Sequence, residues 1–305
     1  MIYLPTRQGD KLYRQPANVA RGTDFRKDAV PMCNWISTAK RGAIGLAAKL
    51  TGNETAQATI NRLINWMQIL QGVGSECDVT FSGEREILRA LADKVKMEHI
   101  TVFDIGANQG QFLREALRYL KNRRHEIHSF EPGTGAYEIL YSAFHTQPNV
   151  SLNHNAVGNV CGEATLWFDA EGSAGASLSQ RDLSHLGREF LNAESVTMTT
   201  VDRYCETKGI EFVDLLKIDV EGHELDVLTG AKNLFDRGGV GMVLFEFGGC
   251  NVDSRVFFRD LWSFFNSVNM RLGRLTPTGY VTPLIRYSEA LEQYRTTNFI
   301  AVPNA

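Results

Sequence analysis

Cysteine is scarce in this chain and poorly placed for bonding. Cys33, Cys77, Cys161, Cys205 and Cys250 are scattered over 305 residues without a Cys-x-x-Cys, which argues against both a zinc knuckle and a disulfide framework. Long apolar runs are absent as well. Nothing approaches the roughly 18 residues of a membrane span, and Arg7, Asp10, Lys11 and Arg14 stand where a secretion signal would be apolar. A cytoplasmic chain without an integral membrane segment is expected. Strong charge of either sign is missing too, the net value being −3. Nine Lys or Arg against three Asp leave residues 1–50 basic, and the rest of the chain is acidic. The basic part reads as a solvated extension or as an attraction for a phosphate-bearing partner, while the acidic part disfavours nucleic acid. No repeat or low-complexity tract interrupts the sequence.

What is present is most informative from Thr101 to Phe112, where an apolar strand meets a glycine-rich turn and a helix start. Val102, Phe103 and Ile105 suit a buried parallel strand, and Phe112, Leu113, Ala116, Leu117 and Leu120 recur at helical spacing. Gly106 and Gly110 permit a tight turn, and Asp104 is expected at the strand's carboxyl end, beside the crevice where doubly wound sheets bind ligands. A dinucleotide fingerprint requires Gly-x-Gly-x-x-Gly, but Asn108 and Gln111 occupy its second and third glycine places. Asp104 would also repel a pyrophosphate. S-Adenosylmethionine, which has an ammonium and no phosphate, suits the turn better.

Later segments extend this order. Glu126 to Phe130 reads as a second strand ending in Glu131-Pro132, at the spacing of a carboxylate that holds ribose hydroxyls. A third strand precedes Asn155-Ala156-Val157-Gly158, where an amide and bare backbone suit an adenine edge. The Gly, Ser and Ala stretch from Glu171 to Ser179 is either a plain surface loop or a cover for the site, with Ser177 as a lining residue. Leu215, Leu216 and Ile218 form a fourth strand, ended by Asp219-Val-Glu221-Gly-His223-Glu224, and Val240 to Phe247 a fifth, with Glu246 near its end. Residues 1 to about 50 read as irregular. Glu54 to Gln71 has a helical stripe of Ile60, Leu63, Ile64, Met67 and Leu70 and is expected to be a packing helix, and Ser82 caps a helix to about Met97. Residues 1–80 are thus an extension, and 81–305 the catalytic domain.

With these residues assembled, the chain resembles the FkbM-type methyltransferases of class I. The resemblance runs through Val102 to Gly110, Phe130-Glu-Pro132, Asn155 to Gly158, Thr200-Val-Asp202, Leu216-Lys-Ile-Asp-Val-Glu-Gly-His-Glu224, Val227 to Ala231 and Leu244-Phe-Glu246. It implies an α/β fold with a doubly wound, Rossmann-like, seven-stranded sheet, mostly parallel with one reversed strand, and O-methylation of sugars, glycolipids or polyketides. It also implies cofactor contact by Asp104, Gly106, Asn108 and Gly110, ribose binding by Glu131, and adenine contact near Asn155 and Ala156.

Methyl transfer to a hydroxyl is an in-line displacement that gains from a general base. Asp219, Glu221 and His223 are the catalytic candidates, with Asp219 at the junction of cofactor and substrate or capping the next helix. Glu246 is an ion-pair partner or a substrate ligand, and Lys217, in a buried strand, requires a carboxylate such as Asp104, Glu131 or Glu246. Magnesium on Asp219, Glu221 and Glu246 is an alternative use of those acids, but three carboxylates do not make a coordination shell and no metal is expected. Competing readings are methylation of RNA or protein and a non-catalytic cofactor-binding module.

Overall fold

The computed structural model describes residues 38–74, 82–94 and 99–304. The irregular reading of residues 1–37 and the end of the helix expected to reach Met97 lie outside them. Two compact units divide near residue 69. The first contains α1 (Thr38–Thr51) and most of α2 (Glu54–Leu70). The α1 segment differs from the irregular chain its sequence predicts; its Ala, Leu and Lys content favours helix despite two glycines. Asn53 caps α2 by accepting from the Ala56 amide at 3.0 Å. The expected packing role of α2 is not what is observed: the helix forms with the anticipated period, but none of its residues is buried, and Leu63, Ile64, Met67 and Leu70 are exposed. Period decides that a helix forms, whereas burial needs a second surface.

The second unit continues with α3 (Glu84–Lys94), β1 (Ile100–Ile105), α4 (Gln111–Leu120), β2 (His125–Phe130), α5 (Thr134–Phe144), β3 (Val150–Asn153), β4 (Ala156–Val157), β5 (Gly162–Phe168) and β6 (Asn192–Thr199). Then follow α6 (Val201–Lys208), β7 (Leu215–Ile218), α7 (Glu224–Thr229), α8 (Lys232–Asp236), β8 (Val243–Phe247), α9 (Cys250–Ser254), α10 (Phe258–Ser267), β9 (Met270–Leu275), β10 (Val281–Pro283) and β11 (Thr297–Pro303). The main sheet has the order β10-β9-β11-β8-β7-β1-β2-β3. Strands β3, β2, β1, β7 and β8 are mutually parallel, and β11 runs against both of its neighbours. Seven strands, mostly parallel with one reversed, are expected; β11 is the reversed strand of that set, and β10, antiparallel to β9, adds an eighth at the edge. A second sheet, β4-β6-β5, lies outside the first.

Alternation along the strands produces the two cores. Phe103, Ile105, Leu216, Ile218, Val243 and Phe245 pack into one cluster with residues of α6, α7, α8 and α10. Ile100, Val102, Leu215, Leu244 and Ile300 join the other with residues of α3, α4 and α5. Near the carboxyl ends of the parallel strands this second face turns polar: Asp104 follows Val102, Lys217 follows Leu215, Glu246 follows Leu244, and Asn298 precedes Ile300 on the reversed strand. A polar row therefore begins where the apolar core stops.

Gly106 locks the turn after β1 to the turn after β7. Its φ is +79°, and a Cβ there would lie 1.7 Å from the Asp219 carbonyl oxygen. Gly187 also has positive φ, +67°, but a Cβ there meets nothing within 4 Å. Gly106→Ala is accordingly expected to cost about 3 kcal/mol or more in denaturant unfolding, against roughly 1 kcal/mol for Gly187→Ala. Equal losses would show that the contact across the two turns does not matter.

Candidate active site

The polar row is organised by Lys217. Its buried Nζ lies 3.2 Å from Asp104 Oδ1 and 3.3 Å from Asp219 Oδ2, and donates to the Gly106 carbonyl at 3.0 Å. The Phe112 ring lies 5.6 Å from the ammonium. Burial opposes the charge on Lys217, but Asp104, Asp219 and Glu84 outweigh it and push its pKa up. Asp104 is fully buried and does not reach the cleft that opens above it. The strand continues one residue past it, so Asp104 supports the site from below and is not exposed at its rim.

Gly106, Asn108, Glu131, Asn155, Ala156, Ser177, Asp219, Glu221 and Glu246 line one cleft. Gly110 does not: it precedes α4 with φ +86°, where a Cβ would strike Phe144 and Leu140. His223 also lies outside the lining, with Nδ1 2.8 Å from Asp226 and Nε2 2.9 Å from the Ser179 hydroxyl.

At one end of the cleft Glu131 is held by its neighbours. Oε2 accepts from the Asn108 amide at 2.8 Å and Oε1 from the Gly133 amide at 2.9 Å. Burial raises its pKa to about 7 in spite of those two amides. Each oxygen retains a lone pair, which suits a vicinal diol, and Phe130, Pro132, Val157 and Leu166 provide an apolar wall beside Asn155 suited to a flat base. The donor set fits an adenosyl group.

The turn after β7 supplies the centre. Asp219 does not cap α7; Glu224, fully buried, accepts from the Gly222 amide at 3.0 Å and from Asn251 Nδ2 at 3.0 Å, binding the turn to α9. Asp219 remains free to face Lys217 and the cleft. Glu221 has φ +53°, an unfavourable backbone for a non-glycine residue. Burial and then Asp219 raise its pKa to about 7. Two residues of the loop before β6 hold it: the Ser177 hydroxyl donates to the Glu221 carbonyl at 2.8 Å, and Arg181 Nη1 donates to Glu221 Oε2 at 2.6 Å. Arg181 also approaches Asp253 at 3.5 Å. The Gly, Ser and Ala stretch is therefore a cover, with Ser173, Ala174, Ala176, Ser177 and Leu178 in the lining.

Sequence reasoning missed Ser82, Glu84, Arg181 and Asn298. A serine two residues before a glutamate resembles a helix cap, and Arg181 lies in a stretch without periodicity. Asn298 gave a usable signal, being an amide in the otherwise apolar run Asn-Phe-Ile-Ala-Val.

The sheet order, with β11 reversed inside it and β10 added at its edge, together with a cleft at the carboxyl ends of the parallel strands, defines a class I, Rossmann-like methyltransferase fold. A family model for the FkbM methyltransferase domain matches residues 104–272, more than half of the sequence, and the chain belongs to that family, whose cofactor is S-adenosylmethionine. Among solved structures, it is similar to the methyltransferase FkbM of Methylobacillus flagellatus, with 13% identity and a TM-score of 0.43 over 80% of this chain and 60% of that one. It thus spans less than two thirds of that relative. A precorrin-6y C5,15-methyltransferase of Geobacter metallireducens is 8% identical, with a TM-score of 0.40 over 75% of this chain and 92% of that one. Aeropyrum pernix fibrillarin with bound S-adenosyl-L-methionine is 11% identical, with a TM-score of 0.38 over 73% and 76%. No curated protein matches the chain. Among the described residues, no helix is long and apolar enough to cross a membrane.

Two measurements test this electrostatic arrangement. Lys217→Met leaves Asp104 buried and unpaired and is expected to cost about 3 to 5 kcal/mol, part of which returns when Asp104→Leu is added. Strictly additive losses in denaturant titration would dissolve the pair. Glu131 binds its proton more tightly folded than unfolded, so its contribution is present below pH 4.5 and is lost as the pH rises through about 7. The Tm of the ligand-free protein should therefore fall less between pH 5 and pH 8 in Glu131→Gln than in the wild type.

Proposed function

We propose that this protein transfers the methyl group of S-adenosylmethionine to a hydroxyl oxygen of a small molecule, a carbohydrate, glycolipid or polyketide-type metabolite. The observation that carries the reading is Glu221, a carboxylate whose pKa is raised to about 7, in the same cleft as the diol-binding end at Glu131. When bound, S-adenosylmethionine supplies an electrophilic methyl group on a sulfonium. Glu131 would accept from the ribose hydroxyls, Asn155 and Ala156 would border the base, and the turn from Gly106 to Asn108 would hold the methionine end. Asp219, oriented by Lys217, would face the positive centre.

Glu221 takes the proton of the acceptor hydroxyl. Arg181 engages Oε2, so Oε1 is the oxygen available to the acceptor. A base with a pKa near the working pH combines ionised population with basicity. His223 has both ring nitrogens engaged away from the cleft and acts on the turn, not on the acceptor. In this reading residues 81–305 form the catalytic domain, and residues 1–80 are an extension to it. The acidic cleft favours a small neutral acceptor over a polyphosphate backbone.

Incubation of cell extracts with the enzyme and radiolabelled S-adenosylmethionine, followed by mass spectrometry, should place the label in a small-molecule or lipid fraction. Label in a nuclease-sensitive or protein fraction would overturn the acceptor class. With the acceptor in hand, kcat/KM should rise with pH through about 7, and Glu221→Gln should lower turnover by roughly 10²- to 10⁴-fold and abolish that limb. Glu131→Ala should weaken S-adenosylhomocysteine at least tenfold in isothermal titration, and unchanged affinity would remove the ribose assignment.

A further inference from the structure

The cleft extends beyond the groups used above. Past Asp219 it is bordered by Glu246 of β8, Asn298 of β11, and Ser82 and Glu84 at the start of α3. Glu246 and Asn298 are register partners on antiparallel strands, so their side chains leave the sheet on the same face with Cβ atoms about 5 Å apart. They do not bond to each other. Among the described residues, Asn298 is 6% exposed yet its amide has no hydrogen-bond partner, and the Glu246 carboxylate has neither a hydrogen bond nor an ion pair. Both groups line the cleft, so their hydrogen-bonding capacity is open to a ligand there. Glu84 is more settled. Its Oε2 accepts from the Ser82 hydroxyl at 2.7 Å, which leaves Oε1 for the cleft.

We infer that Asn298 and Glu246, with Glu84 in the same lining, form the acceptor-recognition subsite and select a neutral ligand carrying two adjacent hydroxyls. The inference rests on the hydroxyl-methylating reading and assigns the residues that choose its substrate. A carboxylate beside an amide matches a vicinal diol in hydrogen-bonding sense. One hydroxyl donates to Glu246, and its neighbour accepts from Asn298 Nδ2 while donating to Glu84 Oε1. Such a ligand completes the unmet groups without adding charge. Ser82, Glu84 and Asn298 also lie outside residues 104–272, so these specificity groups are drawn from the flanks of the family segment.

Saturation-transfer NMR on the full chain, with and without S-adenosylhomocysteine, tests this with cis-1,2-cyclohexanediol, cyclohexanol and trans-2-aminocyclohexanol as probes at millimolar concentration. The diol should give at least a fivefold stronger signal than cyclohexanol, and Asn298→Leu should abolish the difference while S-adenosylhomocysteine affinity stays within threefold of the wild type. Should that variant fail to fold, Asn298→Ser and Glu84→Gln are each expected to weaken the diol signal with the same cofactor control. A diol signal unchanged in these variants, equal signals from diol and cyclohexanol, or preference for the amino alcohol would each overturn the assignment. Failure of the wild type to bind S-adenosylhomocysteine would count against the methyl-transfer reading instead, because the diol comparison is also made without it.

Discussion

A single buried ammonium holds this site together. Lys217 Nζ reaches Asp104 on the neighbouring strand, the Gly106 carbonyl in the turn after it, and Asp219 beyond its own strand. Two of those partners, Gly106 and Asp219, belong to the two turns that border the centre of the cleft, and the turns approach so closely that Gly106 has no room for a side chain. A buried charge is tolerated only when its partners are in place, which makes the ion pair a condition on the geometry of both turns as much as a source of stability. Asp104 is at the bottom of this arrangement. It bears on the cleft through Lys217 without lining the cleft itself.

The same constraint shows why parts of the site were legible in the sequence and others were not. Strand, turn and helix around Gly106, the carboxylate after β2, and the acids after β7 all follow from period and spacing, because parallel strands bring their carboxyl ends together whatever the loops do. Gly110 and His223 share those segments but are turned away by local packing, which spacing cannot register. Arg181, Ser82 and Asn298 reach the cleft from a loop, from a helix start and from a reversed strand. The α2 stripe was legible as a helix, while its exposure depended on neighbours that periodicity does not name.

Charge is distributed along the cleft in a way that separates tasks. Glu131 is set by two amides, Glu224 by the turn it closes, Asp219 by Lys217, and Glu221 by Arg181. Glu246 has none of these partners, and burial together with Asp219, Glu221, Glu224 and Glu84 pushes its pKa well above the usual carboxylate range. Glu131, Glu224, Asp219 and Glu221 are thus restrained, whereas Glu246 is open to the cleft.

The cover over the centre has a consequence of its own. The stretch from Ser173 to Arg181 is fastened to Glu221 at two points, the backbone carbonyl by Ser177 and the carboxylate by Arg181. Protonation at the Glu221 carboxylate would loosen one fastening while leaving the other. In the proposed reaction, proton uptake by Glu221 therefore bears directly on one of the two fastenings of the cover. The chemistry would carry its own signal for the product to depart.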